Sequence, residues 1–311
     1  MKTLGILGFA LVAGCSGMDE PTGPETLPDL VVPPVPENGI QVITPIVRDL
    51  QPAMDYEICS WTDVILDRQV DIKSTIGYQT EPPGHHVILF YTLDKQPPGT
   101  SRVCTDTDMA SFRYLTGNGA NGVENPAPGN LVFRLPEGAQ LVVNHHYLNA
   151  TDQVLEGQAL INVNFAEPGG TYTPSGALAI VDTAIEVPVG ESSHDIHCTM
   201  QRDLKLWYLI PHMHRWGREI TVDVTHAGLK TRMFDTIWEE SFTFYPPEIR
   251  EDPTTPLRLS AGDQIDVHCD WNNDTDRTLN FGFEMCVSFG QFVDDEGLGN
   301  VACDGGNWTD F

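Results

Sequence analysis

The sequence predicts an all-β protein built from two tandem antiparallel β-sandwich or jelly-roll domains. Its apolar segments are short and alternate with polar residues, as in "LVVNHHYLN", "EITVDVT" and "QIDVHCDW", and this period of two is typical of half-buried strands. The 28 glycines and 23 prolines interrupt the chain often, and no stretch keeps the 3.6-residue period of a helix. We therefore expect strands joined by turns, with apolar faces packed against a core.

The length of the chain favours two sandwiches over one. A chain of 311 residues is generous for one β-sandwich, which usually needs about 100 residues. The turn-rich segment "AEPGGTYTPSG", residues 166–176, lies near the middle and is the best candidate boundary. We predict an N-terminal domain over residues 39–168 and a C-terminal domain over residues 169–311.

Residues 1–14 have the pattern of an export signal. Lys2 precedes an apolar run that is shorter than the roughly 20 residues needed to cross a membrane. The ending "LVAGC" resembles the lipobox of bacterial lipoproteins, so we expect cleavage before Cys15 and lipid attachment to that residue. An ordinary secretory signal with an incidental cysteine is the alternative. Residues 15–38, rich in proline, glycine and acids, are predicted to form a disordered tether.

Charge and cysteine content indicate an exported protein that does not bind nucleic acid. The formal net charge of −27 repels phosphate backbones and attracts cations. When Cys15 is set aside, six of the seven cysteines remain, without a Cys-x-x-Cys pair; this favours structural disulfides but leaves 15 pairings open. We predict an exported bacterial lipoprotein in the outer membrane or periplasm or on the cell surface. Sequons begin at Asn149, Asn273 and Asn307, but in a bacterial host we expect them to stay unmodified.

Three pairs of histidines are the candidate metal ligands. They lie in "PPGHHVILFY", "LVVNHHYLN" and "IPHMHRWG", each on or beside an apolar strand. Residues two apart on a strand share a face, so His212 and His214 can hold one ion while Met213 points away. The adjacent His85 and His86 point to opposite faces unless the strand begins or bulges there. One pair alone is more often a surface or hydrogen-bonded histidine, but three pairs favour a metal site, and imidazole with thioether favours copper.

The order of these motifs resembles that of the copper type II, ascorbate-dependent monooxygenases, which include peptidylglycine alpha-hydroxylating monooxygenase and dopamine beta-monooxygenase. That family has a His-His pair at a strand start, a histidine in a Val-His-Tyr-like strand, a His-x-His and a methionine in Glu-Met-Cys. The corresponding residues here, in the same order, are His85-His86, His146-Tyr147, His212-Met213-His214 and Glu284-Met285-Cys286. The segment "LRLSAGDQIDVHCDWNN" is similar to the family strand that leads to Glu-Met-Cys. The resemblance covers roughly residues 45–303.

The resemblance implies two copper ions per chain, one in each domain, facing a shared cleft. The ligands of the first would be His85, His86 and His146. The ligands of the second, catalytic copper would be His212, His214 and Met285. His145 competes with His146, but the family's His-Tyr pair matches His146-Tyr147, and pleating turns His145 to the opposite face. The implied disulfides are Cys59–Cys104, Cys198–Cys303 and Cys269–Cys286, which leaves Cys15 for the lipid.

The family's reaction inserts one atom of O₂ into a C–H bond, so the resemblance implies a monooxygenase acting on a small organic molecule. Electrons would come from ascorbate or another one-electron reductant through the N-terminal copper, and O₂ and substrate would meet at the C-terminal copper. The positions at which the family's peptide-processing members bind their substrate are here Ile210, Val287 and Phe289. These residues argue against a glycine-extended peptide and suit a less polar substrate. We expect a monomer.

Two other classes of function fit the same sequence. A copper-binding surface lipoprotein that captures or transfers metal would use the acidic surface and the anchor without consuming O₂. A structural or adhesion module would bind no stoichiometric copper. A mononuclear iron oxygenase fits less well, because it would need a His-x-Asp/Glu motif where the sequence has His212-Met213-His214.

Overall fold

The computed structural model of the chain describes residues 25–52, 54–118, 121–243 and 245–310, and in these residues the fold is all-β. Strands dominate, with one short α-helix at Asp106–Ser111 and a 3-10 turn at Glu240–Thr243 among the described residues. No helix in this described part of the chain is long and apolar enough to cross a membrane. The predicted signal peptide and the lipid-attachment residue Cys15 lie outside the described residues.

The N-terminal half contains two sheets that enclose one core. Its outer sheet has the strand order β6-β3-β10-β5-β7, and the facing strands run β1-β12-β4-β9, with antiparallel neighbours throughout. The core between them combines apolar residues of both layers, such as Leu89 and Val143 against Ile72 and Ile161. The strands of this half are β1 (Gly39–Ile43), β2 (Val47–Leu50), β3 (Met54–Ile65), β4 (Val70–Gln79), β5 (Gly84–Thr92), β6 (Ser101–Val103), β7 (Arg113–Asn118), β8 (Glu124–Pro126), β9 (Leu131–Leu135), β10 (Gln140–Asn149), β11 (Leu155–Gly157) and β12 (Ala159–Phe165).

The C-terminal half repeats this arrangement. Its outer sheet has the order β15-β21-β17-β18, and the facing strands run β13-β23-β16 with β19 and β20 beside β16. The larger core of the molecule lies between these layers and includes Val222 and Val267 on one side and Leu206 and Phe292 on the other. The strands of this half are β13 (Thr173–Val181), β14 (Glu186–Val187), β15 (Gly190–Thr199), β16 (Leu204–His212), β17 (Gly217–His226), β18 (Leu229–Ile237), β19 (Ile249–Arg250), β20 (Leu257–Leu259), β21 (Gln264–Asn273), β22 (Leu279–Asn280), β23 (Val287–Val293), β24 (Val301–Asp304) and β25 (Asn307–Asp310).

Strand order and local hydrogen bonds correspond between the two halves. Strands β3, β10, β5 and β7 occupy the places that β15, β21, β17 and β18 occupy in the other half. Before β10 and β21 the chain makes the same turn, with Gly138 and Gly262 at positive φ. Each glycine donates its N–H to the carbonyl of Leu66 or Met200, both at 2.8 Å. The halves are therefore built on one framework, although their sequences show no evident repeat.

The sequons at Asn149 and Asn273 are part of this framework. Both side chains are fully buried, and both donate their amide hydrogens to two backbone carbonyls, those of Leu50 and Gln153 for Asn149. Asn273 does the same with Val187 and Arg277. Both amides are thus committed to closing a turn and are inaccessible to a glycosylating enzyme.

The two halves are joined by strand pairing and by side-chain packing. β9 pairs with β13 in parallel, which connects the inner layers into one continuous sheet, and β13 also pairs in parallel with β24. The expectation of purely antiparallel sheets is wrong at these two pairings. Trp207, from β16, is buried in the core of the N-terminal half, and its indole N–H donates to Ser175 Oγ at 3.0 Å. The predicted boundary segment, residues 166–176, covers the connection between β12 and β13 and the first four residues of β13.

Residues 25–38, predicted to belong to a disordered tether, lie along the N-terminal half. Gln158 accepts the Leu27 N–H and donates to the carbonyl of Glu25, both at 2.9 Å. Leu30 is buried, and Gln41 donates to the Pro33 carbonyl at 2.8 Å. Composition did not predict this order, because the hydrogen-bond partners belong to residues far along the chain.

Three disulfides are present among the described residues, and they are the pairs that the family resemblance implied. The presence of three disulfides indicates an exported or extracellular protein, because disulfides persist in oxidising compartments. The bridges are Cys59–Cys104, Cys198–Cys303 and Cys269–Cys286.

Candidate metal centre

Three histidines of the N-terminal half meet at the end of the outer sheet. His86 on β5 lies opposite His146 on β10, and the register then skips His85 before resuming at Gly84 and Tyr147. This irregularity places the adjacent His85 and His86 beside the same partner. One ring nitrogen from each of the three histidines lies within 4.8 Å of the others, close enough for one ion.

Gly84 makes this strand start possible. Its N–H donates to the Thr80 carbonyl at 2.8 Å, closing a turn directly before the two histidines. A Cβ at this position would lie 2.4 Å from the Thr80 oxygen and 2.6 Å from Cγ of Gln79. Only glycine fits without moving the backbone that carries His85.

The histidine triad is half-buried and packs ring against ring. The ring centroids are 5.8 Å apart for His85 and His86, 5.3 Å for His85 and His146, and 4.9 Å for His86 and His146. Burial lowers the pKa of His86 well below its usual 6.5, and the neighbouring histidines lower it further. Neutral imidazole is the form that binds metals, so the surroundings favour ligation over protonation.

His145 does not take part in this triad. Its ring is fully buried on the other face of β10, where Nε2 hydrogen-bonds to Ser60 Oγ at 2.8 Å and Nδ1 to the Tyr147 hydroxyl at 2.7 Å. Burial lowers the pKa of His145 to about 3. Both ring nitrogens are engaged, so this residue is a core histidine.

A second histidine pair lies in the C-terminal half, where β16 ends. The rings of His212 and His214 are nearly perpendicular, with centroids 5.1 Å apart, and Met213 between them is fully buried in the core. Burial, with a smaller effect of His214, lowers the pKa of His212 to about 3. His214 donates from Nδ1 to the Phe283 carbonyl at 3.2 Å, which leaves Nε2 for a ligand.

Glu284 connects this pair to Met285. One oxygen of its fully buried carboxylate accepts the backbone N–H of His214 at 2.6 Å and that of Met285 at 2.9 Å. The other oxygen accepts the Trp216 N–H at 3.0 Å. Met285 is half-buried, and the next residue, Cys286, is anchored by its disulfide to Cys269. The His-x-His and Glu-Met-Cys segments therefore meet at one carboxylate.

The two groups of histidines lie within electrostatic range of each other. A positive charge on His212 or His214 would lower the pKa of His86, an effect smaller than those of burial and of the other two members of its triad. A cavity of about 270 Å³ also lies between the halves, lined by Tyr91 and Tyr114 on one side and Ala177 and Gln291 on the other.

The three predicted substrate-contacting residues have different surroundings. Phe289 is 37% exposed, and its ring centroid lies 6.0 Å from that of His212. Ile210 is half-buried and lies opposite Phe289 in the β16 and β23 pairing. Val287 is fully buried against Val181 and its neighbours, so its side chain does not line an open surface. Substrate contact stays a prediction for all three residues, and Val287 lies opposite His212 in the β16 and β23 pairing.

The sequence motif Glu284-Met285-Cys286 assigned a role to Met285 and Cys286 but none to Glu284. A signal for its role was present, because an acid inside the apolar segment "FGFEMC" must find hydrogen-bond donors if that segment is buried. Which donors it finds could not be read from the sequence, since they lie 68 and 70 residues away for Trp216 and His214.

Comparisons with known proteins identify no family. No family model and no curated protein matches the chain. Among solved structures, it is similar to a triple-jelly-roll protein of an archaeal virus turret, at 8% identity and a TM-score of 0.21, over 86% of this chain and 62% of that one. PBCV-1 VP54, fitted into a reconstruction of the virophage Sputnik, matches at 6% identity and a TM-score of 0.25, over 84% and 95% of the two chains. The exported protein XepA of PBSX matches at 12% identity and a TM-score of 0.23, over 85% of this chain and 90% of that one. Such low scores carry no functional conclusion.

Proposed function

We propose that this chain is a copper-dependent monooxygenase that hydroxylates a C–H bond of a small, weakly polar molecule with O₂ and a one-electron reductant such as ascorbate. We further propose two tandem sandwich domains, over residues 39–168 and 169–311, each with one copper site. The observation that carries the proposal is the meeting of His85, His86 and His146 within 4.8 Å. The equal strand order of the two halves supports the division into domains.

The donor atoms fit copper. Three imidazoles at one site and two imidazoles near a thioether at the other are ligands that copper accepts in both of its common oxidation states, and the soft sulfur of Met285 favours Cu(I). Burial lowers the pKa values of His86 and His212, so both rings are ready to bind a cation at neutral pH. Among the residues that the structure describes, no carboxylate joins the group of His85, His86 and His146, which argues against calcium or magnesium.

Bound copper would supply one-electron redox chemistry and the activation of O₂. The residues of the chain would place the substrate beside the C-terminal ligands. Phe289 and Ile210 form an apolar wall next to His212, and the partly exposed ring of Phe289 can bury an aliphatic or aromatic group. This wall would also exclude water from the reacting C–H bond.

A copper-binding lipoprotein without oxygenase activity is the second candidate. The net charge of −27 favours cation capture, and the same ligands would serve for storage or transfer. In both proposals the chain is exported and lipid-anchored through Cys15.

Copper stoichiometry tests the ligand assignment. We expect about two copper ions per chain in the purified protein, and loss of about one in each of the variants His86→Ala and Met285→Ala. His268→Ala is the matched control, because both nitrogens of His268 already bond to Asp195 and Asp270 on the outer sheet. One copper or none in the unsubstituted protein, or equal losses in the control, would contradict the assignment.

Oxygen consumption separates the two candidates. With copper, ascorbate and a panel of small apolar substrates, an oxygenase consumes O₂ in proportion to hydroxylated product. A carrier binds the copper and shows only slow reductant oxidation, with no product.

A further inference from the structure

The carboxylate of Glu284 holds together two segments that strand pairing leaves apart. The pairing of β16 with β23 ends at His212 opposite Val287, so no ladder hydrogen bond reaches beyond this point toward His214 and Met285. Backbone N–H groups in such a buried place need an acceptor. Glu284 supplies it for both residues, through a single oxygen at 2.6 and 2.9 Å.

The segment around Glu284 is itself well anchored. Glu284 itself is 0% exposed, and a backbone β-bridge joins it to Phe281. Two residues after it, Cys286 is tied to β21 by the disulfide to Cys269. The hydrogen bond from the His214 N–H to the carboxylate therefore fixes the loop that carries His214 against this anchored segment.

We propose that Glu284 is the positioning residue of the C-terminal metal site, which sets the placement of the His214 ring relative to the Met285 sulfur. The inference rests on the proposed function only in taking copper as the ion. Glu284 is not a ligand in this proposal; it acts through the two residues whose backbones it binds. Ligand-orienting groups of this kind typically contribute 10- to 100-fold to metal affinity or activity.

A glutamine cannot replace this glutamate without loss. Its amide keeps one acceptor oxygen, but its NH₂ group then points at backbone N–H donors on the other side. In one orientation it faces Trp216, and in the other it faces both His214 and Met285. Either orientation leaves at least one donor unpaired and moves the loop.

The test compares Glu284→Gln, Glu284→Asp and the control Asp263→Asn in the full chain. Asp263 is also a buried carboxylate of the C-terminal half, and it accepts the backbone N–H groups of Ser260 at 2.6 Å and Ala227 at 3.1 Å. It also hydrogen-bonds to Nδ1 of His226 at 2.6 Å, and none of these partners is a candidate metal ligand. Cu(I) affinity is measured by competition with a chromophoric chelator, the copper–sulfur signal by X-ray absorption, and folding by thermal melting.

We expect Glu284→Gln to weaken one of two Cu(I) sites by 10- to 100-fold and to lose the copper–sulfur signal, while the other site is retained. Glu284→Asp, which keeps both acceptors on a shorter arm, should restore part of the signal. Asp263→Asn should keep both sites even if it melts earlier. If Glu284→Gln does not fold, the same two measurements on Glu284→Asp decide the question. A full copper–sulfur signal and full Cu(I) affinity in that variant would overturn the proposal.

An unchanged sulfur signal and affinity in Glu284→Gln, or the same loss in Asp263→Asn, would overturn the positioning role alone. Absence of a sulfur-bound copper in the unsubstituted chain would overturn the proposed function as well. The unsubstituted chain is measured first, so the two failures are distinguishable.

Discussion

The N-terminal and C-terminal halves share a framework but place their candidate ligands differently. β10 and β21 both end in a buried asparagine that closes the same turn with a threonine two residues later. Three residues before this asparagine, β10 carries His146 and β21 carries Asp270. Their cross-strand partners are His86 and Glu219, respectively. The framework is therefore compatible with a metal triad at this position but does not require one.

The C-terminal half has its candidate ligand histidines, His212 and His214, elsewhere, at the end of β16. The strand in the corresponding place of the N-terminal half, β4, ends in Tyr78 and Gln79. The two candidate sites are formed in different ways. The register irregularity at His85 recurs in the C-terminal half at Arg218, so the N-terminal site depends on the side chains that occupy it, whereas the C-terminal pair depends on the Glu284 carboxylate. Folding and ligand placement are thus separable properties of this molecule.

The largest expected change in the free energy of unfolding of either half comes from removing the disulfides. Replacing both cysteines of a bridge by alanine should lower the free energy of unfolding in the order of the closed loops: Cys198–Cys303 with 105 residues, Cys59–Cys104 with 45 and Cys269–Cys286 with 17. The expected losses are about 4.7, about 4 and about 3 kcal/mol, because shorter loops restrict the unfolded chain less. Urea unfolding measures them. An order unrelated to loop length would show that strain or residual structure dominates.

A somewhat smaller effect should appear at the shared turns. Asn149→Ala and Asn273→Ala each leave buried carbonyls without donors, at about 1–3 kcal/mol for each unpaired group, so we expect each variant to lose about 3 kcal/mol. Asn149→Asp and Asn273→Asp keep the acceptor bonded to Thr151 or Thr275 but turn a buried carboxylate oxygen toward the two carbonyls, so they should lose more than the alanine variants. Urea unfolding measures the loss of stability in each variant. If the two alanine variants differ by more than about 1 kcal/mol, the two asparagine turns are not energetically equivalent.

The smallest effect is an acid sensitivity that comes from Asp108 in the N-terminal half. The hydrogen bond from Arg102 holds the pKa of Asp108 at about 2, below its usual 3.8. A depressed carboxyl pKa stabilises the fold above the unfolded pKa, so this contribution is present above about pH 4 and is lost as the pH falls toward 2. We expect it to be about 1 kcal/mol, since the partner arginine is partly exposed. Melting temperatures of Asp108→Asn and the unsubstituted chain should differ at pH 6 and converge near pH 2. A constant difference would assign the effect to packing.

The alternation of apolar and polar residues was sufficient to predict an all-β fold, because the side-chain period of a strand is a local property. The choice of His146 over His145 followed from the His-Tyr pair of the family resemblance, together with pleating, which places neighbours on β10 on opposite faces. Local pattern was insufficient to predict the complete burial of Val287, which packs against residues of neighbouring strands. It was equally insufficient for residues 25–38, whose hydrogen-bond partners lie in β12 and beside it.

The histidine and methionine motifs could thus be listed from the amino-acid order, and the family resemblance that they carry implied two copper sites. Their meeting in space depends on contacts between distant segments. His86 and His146 come together through the β5 and β10 register, and His214 and Met285 through one buried carboxylate. A sequence specifies such contacts only through the free energy of the whole fold, in which partners far apart along the chain are selected by burial and hydrogen bonding together.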